Sequence, residues 1–156
     1  MRIVILFLAM SSFIFAAQVE VIAKNAIMNE KELKGYLSGN VVITKDLDKL
    51  MGDKLTIEYS KKEEPFRYEM SGNIKADITM NNKRYRASGN NLVYDVKPNV
   101  YTLTGDAFLE ESDTNRRVYG DMITVDQNNG TYAVNGSEQQ PVRFIFQIDD
   151  TRTEIR

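Results

Sequence analysis

A glycine followed by asparagine, aspartate or serine occurs seven times in this 156-residue chain, and this repeat limits the fold more than any other feature. Two residues before each of these glycines the chain has an apolar residue. Apolar residues spaced by two are typical of a β-strand with one buried face, so a strand is expected to lead into each glycine. The seven glycines are Gly39, Gly52, Gly72, Gly89, Gly105, Gly120 and Gly136.

Strands are also expected to follow the glycines, and their phase divides the repeats into two groups. After Gly39, apolar residues fall at the second and fourth positions, whereas after Gly52 they fall at the third and fifth. A shift of one residue turns a strand's side chains to the opposite face unless a β-bulge absorbs an extra residue. Glycine, and the Asn or Asp beside it, tolerate the left-handed φ that bulges use. The sequence therefore predicts a bulged corner at each glycine, with the extra residue in the Gly52 group.

One further turn signal lies between each pair of successive glycines, made of residues that favour chain reversal. Because corners and reversals alternate, the chain is predicted to be an all-β antiparallel meander of long strands, each kinked near its middle by a Gly-Asx corner. The two halves of each strand would lie on two facing sheets, with a continuous apolar strip inside the resulting trough. The predicted turns are 46–49, 60–65, 81–83, 97–99, 112–116 and 128–130.

A stack of similar units has two ends, and both ends of this chain contain apolar strands. Val19 and Val21 share one face near the N-terminus, and Val142, Phe144 and Phe146 share one face near the C-terminus. An unpaired apolar edge strand invites another chain, and a contact between unlike ends propagates head to tail without closing. Whether the ends join copies of the chain, or are each capped by their own flanking segment, stays open.

The two termini differ in character from the repeat. Residues 1–17 have an early positive charge at Arg2, an almost wholly apolar run and two small residues, Ala16 and Ala17, which is the layout of a secretory signal peptide. The apolar run is shorter than the ~20 residues of a membrane-spanning helix. We therefore expect a signal peptide at 1–17, a single β-domain at 18–148 and a polar tail at 149–156.

The composition excludes several classes of chemistry. The chain has no His and no Cys, which removes most nucleophilic and metal-ligand constellations. Its net charge of −2 lacks the basic excess of nucleic-acid-binding proteins. Two basic clusters, Lys83 to Arg86 and Arg116-Arg117, fit either contact with phosphates and acidic sugars or simple solubility. We expect no enzyme activity, no cofactor, no metal and no nucleic-acid partner.

Three stretches of the sequence carry a family resemblance. The segment VYTLTGDAFLEESDTNRRVYGDMITVD (100–126), together with SGNVVITK (38–45) and GDKLTIEY (52–59), resembles the OstA-like domain of the LptA family, the periplasmic bridge proteins of lipopolysaccharide transport. The resemblance extends over about residues 19–148 and consists of repeated strand motifs.

The resemblance implies a β-taco, or open β-jelly roll, in the periplasm. Such a protein shields the acyl chains of lipopolysaccharide in its trough and passes them from inner-membrane to outer-membrane transport proteins. It also implies head-to-tail self-association through the terminal strands, and no cofactor. The residues that would line the trough are Val41, Ile43, Leu55, Ile57, Ile74, Ile78, Leu92, Tyr94, Leu109, Ile123 and Val125.

Three alternatives remain beside this interpretation. The apolar strip fits a closed sandwich core without ligand equally well, because core and groove share one residue pattern. A membrane-anchored partner of the same transport system would differ in keeping its N-terminal segment. A structural β-solenoid would assemble in the same way without binding lipid.

Overall fold

Six long strands, each joined to the next by a hairpin turn, account for most of the described chain, which covers residues 18–148 of the computed structural model. The expected signal peptide and polar tail lie outside the described residues. No helix within residues 18–148 is long and apolar enough to cross a membrane. The strands are β1 (Val19–Ile22), β2 (Asn25–Asn29), β3 (Lys34–Lys45), β4 (Asp48–Tyr59), β5 (Pro65–Met80), β6 (Lys83–Asp95), β7 (Val100–Glu111), β8 (Arg116–Asp126), β9 (Thr131–Asn135) and β10 (Arg143–Ile145).

The strands pair in antiparallel fashion and in chain order, as the meander prediction requires. The order is β1-β3-β4-β5-β6-β7-β8-β10, while β2 pairs with the first half of β3 and β9 pairs with the second half of β8. The reversals fall at the predicted places, including tight turns at Asp46-Leu47 and Asn81-Asn82. The all-β fold class is therefore confirmed.

Each long strand bends near its middle, and its halves belong to two different walls. Side chains from both walls pack in one hydrophobic cluster, and Tyr85 of one wall interacts with Tyr132 of the other. The walls therefore face each other. The backbone joins them along the corners, and we call the opposite side, where the hairpin turns of both walls lie, the mouth. Wall 1 comprises β2, β9 and residues 34–38, 54–59, 65–71, 91–95, 100–104 and 122–126; wall 2 comprises β1, β10 and residues 41–45, 48–52, 74–80, 83–89, 107–111 and 116–120.

The corners contain the predicted bulges, but the prediction placed the extra residue on the wrong strand. Gly39 and Asn40 have φ values of 86° and 48°, and these two residues stand opposite the single residue Asp53. Consecutive left-handed residues occur again at Gly72-Asn73 and Gly105-Asp106. Glycine, and a short Asn or Asp, are the residues that adopt this conformation at least cost.

Phase alone could not show which strand carries the bulge. On β3, Leu37 and Val41 are four residues apart, so the bulged strand keeps its alternation. On β4, Gly52 and Leu55 are three apart, so the strand without the extra residue is the one whose phase shifts. The phase shift in the sequence therefore marks the strand that lies opposite the bulge and not the bulged strand.

The glycines of the second group, such as Gly52 and Gly89, are needed because a side chain there would collide with its neighbours. A Cβ on Gly52 would lie 2.5 Å from Met70 Cγ and 2.9 Å from Ile74 Cδ1, and one on Gly89 would lie 2.6 Å from Leu103 Cδ1. Real Cβ atoms do not approach other heavy atoms so closely, and core packing yields little. These glycines let the two walls approach each other at the corner.

The last repeat departs from the prediction. After Gly136 the chain leaves the sheet in a short loop, closed by a hydrogen bond from the Ser137 N–H to the Gln140 carbonyl at 2.7 Å. The apolar strand expected over residues 142–148 is only three residues long, as β10. Phe146 therefore lies outside the sheet and is 61 % exposed.

Candidate functional site

The inner face of wall 1 carries an unbroken row of aliphatic side chains close to the corners. Its members are directly paired from strand to strand, and direct pairing places side chains on one face. The row extends over seven strands without a polar side chain. This aliphatic row is Leu37, Leu55, Met70, Leu92, Leu103, Ile123 and Val134.

A second row lies two residues closer to the mouth, about 7 Å along the strands. Starting from Ile57, direct pairing joins Tyr68, Tyr94 and Tyr101, then Val125, then Tyr132. The rings of Tyr68 and Tyr94 are stacked with centroids 6.2 Å apart, and those of Tyr94 and Tyr101 with centroids 4.3 Å apart. We call the four tyrosines the tyrosine row.

Wall 2 presents small and aliphatic side chains to the same interior along its paired row, except for the exposed Phe144 at the end of that row. Alanines occupy the middle of its paired row, which leaves room for the larger side chains of wall 1. Near the corner, Val41, Ile74 and Ala107 are at most 1 % exposed. The paired row is Val21, Ile43, Leu50, Ala76, Ala87, Leu109, Val118 and Phe144.

Side chains from the two walls meet at the mouth. Tyr85 of wall 2 is 7 % exposed, and burial followed by a hydrogen bond with Tyr132 of wall 1 raises its pKa to about 12. Asp48 of wall 2 lies close enough to Tyr101 of wall 1 to contribute to raising the pKa of that hydroxyl. In this structure the space between the walls is therefore filled by side chains.

Burial also controls the ionisation of three tyrosines of this row, Tyr68, Tyr94 and Tyr101. It is the largest cause raising the pKa of Tyr68, to about 12, and of Tyr101, which is raised further. Burial likewise raises the pKa of Tyr94 and of Tyr59 at the end of β4. All these hydroxyls are neutral near pH 7, so the interior carries hydrogen-bond donors without charge.

The eleven residues predicted to line the trough all lie on the inner face. Six of them are buried and belong to the hydrophobic cluster: Val41, Leu55, Ile57, Ile74, Ile123 and Val125. Ile43, Ile78, Leu92, Tyr94 and Leu109 are half-buried.

Sequence reasoning left several further inner residues, including members of both paired rows, out of that set. Met70 and Leu103 sit two residues before a glycine, and Tyr68 and Tyr101 sit four residues before one. The apolar residues two before each glycine had identified the strands, and the strand period of two could have placed the tyrosines four before it on the same inner face.

The predicted edge strands differ in how well they are covered. Val19 and Val21 lie in β1, paired with β3, and Val21 packs against the hydrophobic cluster. At the other end, Val142, Phe144 and Phe146 are exposed by 38 %, 59 % and 61 %. The predicted edge residues are therefore better covered at the N-terminal end than at the C-terminal end.

The two basic clusters are engaged in ion pairs on the outer face. Arg86 Nε donates to Glu110 Oε1 at 3.0 Å, and Arg117 Nε donates to Glu110 Oε2 at 2.8 Å. These bonds, the one from Arg86 first, lower the pKa of Glu110, which is 4 % exposed. Arg84 pairs with Asp48 and Asp77. Because these arginines already pair with carboxylates of the chain, the arrangement does not favour the interpretation that the clusters bind phosphates or acidic sugars.

An outer groove of about 450 Å³ lies beside these ion pairs, between Met51, Lys75, Arg86, Phe108 and Glu110. It is shallow and mixes both charges. No group of three or more Asp and Glu side chains within residues 18–148 is arranged to hold a metal ion. The inner face is therefore the candidate site.

A continuous antiparallel sheet, folded along glycine corners around an apolar interior, defines a protein of the β-jelly-roll class. The chain belongs to the LptA/(LptD N-terminal domain) family of LPS transport proteins, whose model matches residues 20–131. A solved structure similar in fold is that of LptH from Pseudomonas aeruginosa, described as the LptA homologous periplasmic component of a lipopolysaccharide transport device. It has 18 % sequence identity and a TM-score of 0.71, over 85 % of this chain and 96 % of that one. No curated protein matched this chain.

Proposed function

We propose that this chain is a periplasmic carrier that holds the acyl chains of lipopolysaccharide between its two walls. It would receive the lipid from inner-membrane transport proteins and deliver it to outer-membrane ones. Family membership supports the lipid class, and the inner face supports the mode of binding. The proposal includes no enzymatic step and no cofactor.

The observation that carries the proposal is the uniformity of the inner face along the sheet. Burial of acyl chain is worth about 0.8 kcal/mol per methylene, so a lipid with several chains does not cross water unaided. Each strand from β3 to β8 offers an aliphatic side chain or a close equivalent at the same depth. A lipid can therefore move from strand to strand with little net change in free energy, whereas a single deep pocket would retain it.

Binding requires the walls to separate, because side chains fill the interior. The walls are joined by the backbone only at the corners, whereas at the mouth side chains such as Tyr85 and Tyr132 meet. We propose that acyl chains enter by parting the mouth, with the corners as hinges.

Photo-crosslinking tests this assignment. A photoreactive residue at Ile57, Ile78 or Ile123 faces inward, and one at the adjacent outward positions Glu58, Thr79 or Thr124 is the matched control. With purified lipopolysaccharide, we expect adducts at the first three positions and not at the others. A folded protein without adducts would make the inner face an ordinary sandwich core and the protein a structural module. Equal labelling of both sets would rule out selective binding between the walls.

We further propose that copies of the chain stack head to tail. Ile27 and Met28 at the N-terminal edge are 66 % and 61 % exposed, and Phe144 and Phe146 at the C-terminal edge are similarly exposed. Stacking would cover both edges and make the inner faces of neighbouring copies continuous.

Light scattering at increasing protein concentration tests the stacking. Phe146→Glu places a charge at the exposed C-terminal edge, and we expect it to lower the average mass at least two-fold. Lys97→Glu is the control, because Lys97 is exposed in the turn between β6 and β7, in the middle of the strand order and away from both terminal strands. A wild-type protein that stays monomeric at every concentration would contradict stacking.

A further inference from the structure

The chemistry of wall 1 changes in steps from the corners to the mouth. The aliphatic row comes first, then the tyrosine row, and then hairpin turns with charged residues such as Lys61, Lys62 and Lys97. Membrane proteins show the same order from the bilayer centre to the headgroups, with aromatic residues that carry a polar tip at the boundary. An amphiphile bound with its apolar end toward the corners would therefore change from apolar to polar at the depth of the tyrosine row.

The hydroxyl groups of the row are not equivalent. Tyr94 donates to Asn99 Oδ1 at 3.1 Å, and the Tyr101 hydroxyl interacts with that of Tyr94. Asn99 is linked in turn to Asn128, so these two tyrosines belong to a network that holds the hairpin turns at the mouth. Their hydroxyls have structural partners.

Tyr68 differs from both. Within residues 18–148 its hydroxyl has no hydrogen-bond partner, and its pKa is raised by burial and by neighbouring tyrosines alone. No buried side-chain oxygen in the described range lacks a partner, so this hydroxyl is reached by solvent. A half-buried ring therefore presents a free, neutral donor at the mouth side of the aliphatic row.

We propose that the tyrosine row binds the junction of the lipid, where acyl chains join the sugar through ester or amide carbonyl groups, and that Tyr68 donates a hydrogen bond to one of these carbonyl oxygens. The inference rests on the proposed function and adds an orientation to it. Chain ends point to the corners, and sugars point out of the mouth. Tyr68, Tyr94 and Tyr101 lie on three successive strands about 4.8 Å apart, and this keeps the junction at constant depth as the lipid moves across them.

The test compares two amphiphiles bound to Tyr68→Phe and to the wild-type protein. Purified lipopolysaccharide has acyl carbonyl groups, whereas dodecyl maltoside joins its alkyl chain to sugar through an ether-type oxygen without any carbonyl. Tyr68→Phe keeps the ring and its stacking on Tyr94. We expect it to weaken lipopolysaccharide binding about 3- to 10-fold, the value of one hydrogen bond, and to leave dodecyl maltoside binding unchanged.

Tyr36→Phe is the matched control, because Tyr36 is exposed on the outer face of wall 1 and its hydroxyl bonds to Glu32 at 2.7 Å. It should change neither affinity. An unchanged affinity of Tyr68→Phe for lipopolysaccharide would overturn the inference and leave the proposed function standing. An equal loss for both amphiphiles would also overturn it, because packing would then explain the effect. A wild-type protein that binds neither would overturn the proposed function together with the inference.

Discussion

Replacing Leu55 by alanine should lower the free energy of unfolding by about 2–5 kcal/mol, the range for truncation of a buried leucine. Leu55 is 1 % exposed, and it lies in the aliphatic row between Leu37 and Met70, so atoms from both walls surround it. The corner beside it is formed by Gly52 and the bulge of β3. This corner prevents the walls from closing on the cavity that the substitution would leave. Urea unfolding followed by far-ultraviolet circular dichroism measures the effect.

Leu47→Ala is the control for this prediction, because Leu47 is 84 % exposed in the turn between β3 and β4. It should change the unfolding free energy by no more than about 0.5 kcal/mol. A loss below 1 kcal/mol for Leu55→Ala would show that the interior collapses easily and is not close-packed.

The second large effect should appear in alkali. Tyr68 and Tyr85 have pKa values raised from 10.0 to about 12 by burial, and burial raises those of Tyr59, Tyr94 and Tyr101 as well. A group whose pKa is raised on folding adds stability that is complete below its unfolded pKa and is lost as pH rises through the folded value. The protein should therefore lose stability progressively between about pH 10 and pH 12.

Urea midpoints at several pH values, with tyrosinate absorbance recorded in parallel, measure this loss. Tyr68→Phe removes a group with a strongly raised pKa and should make the decline shallower. Tyr36→Phe should change the slope less, because the pKa of Tyr36 is raised mainly by its hydrogen bond to Glu32 at an exposed site. A urea midpoint that stays constant from pH 9 to pH 12 would show that the hydroxyls of Tyr68, Tyr85 and Tyr101 are open to solvent and not buried.

Much of the fold follows from residue spacing alone. Apolar residues at fixed distances from Gly39, Gly72 and Gly105 identified the strands, and residues such as Asn81-Asn82 identified the reversals. The fold class and the inward set of side chains follow from these local rules, because a strand has a period of two and a turn has few suitable residues.

Residue spacing did not predict that the glycines are required for two different reasons. Gly39 and Gly52 look alike in sequence, yet Gly39 is required for its φ and Gly52 for the space beside Met70. The first property belongs to the backbone of one strand. The second depends on a side chain from another strand, eighteen residues away.

Glu110 illustrates the same limit at a charged residue. In the segment LEESD it reads as a solvated acid, but Arg86 from β6 and Arg117 from β8 enclose its carboxylate on the outer face. The pairing register brings these three residues into line, and register is a property of three strands together.

The sequence by itself determined the meander, the corners and the side of each strand that faces inward, because these depend on neighbours within a few residues. Only the tertiary structure decided which strand bulges, whether the Tyr68 hydroxyl has a hydrogen-bond partner within residues 18–148, and how fully the interior is filled. Those properties arise where different strands meet, in contacts that no spacing within one strand encodes.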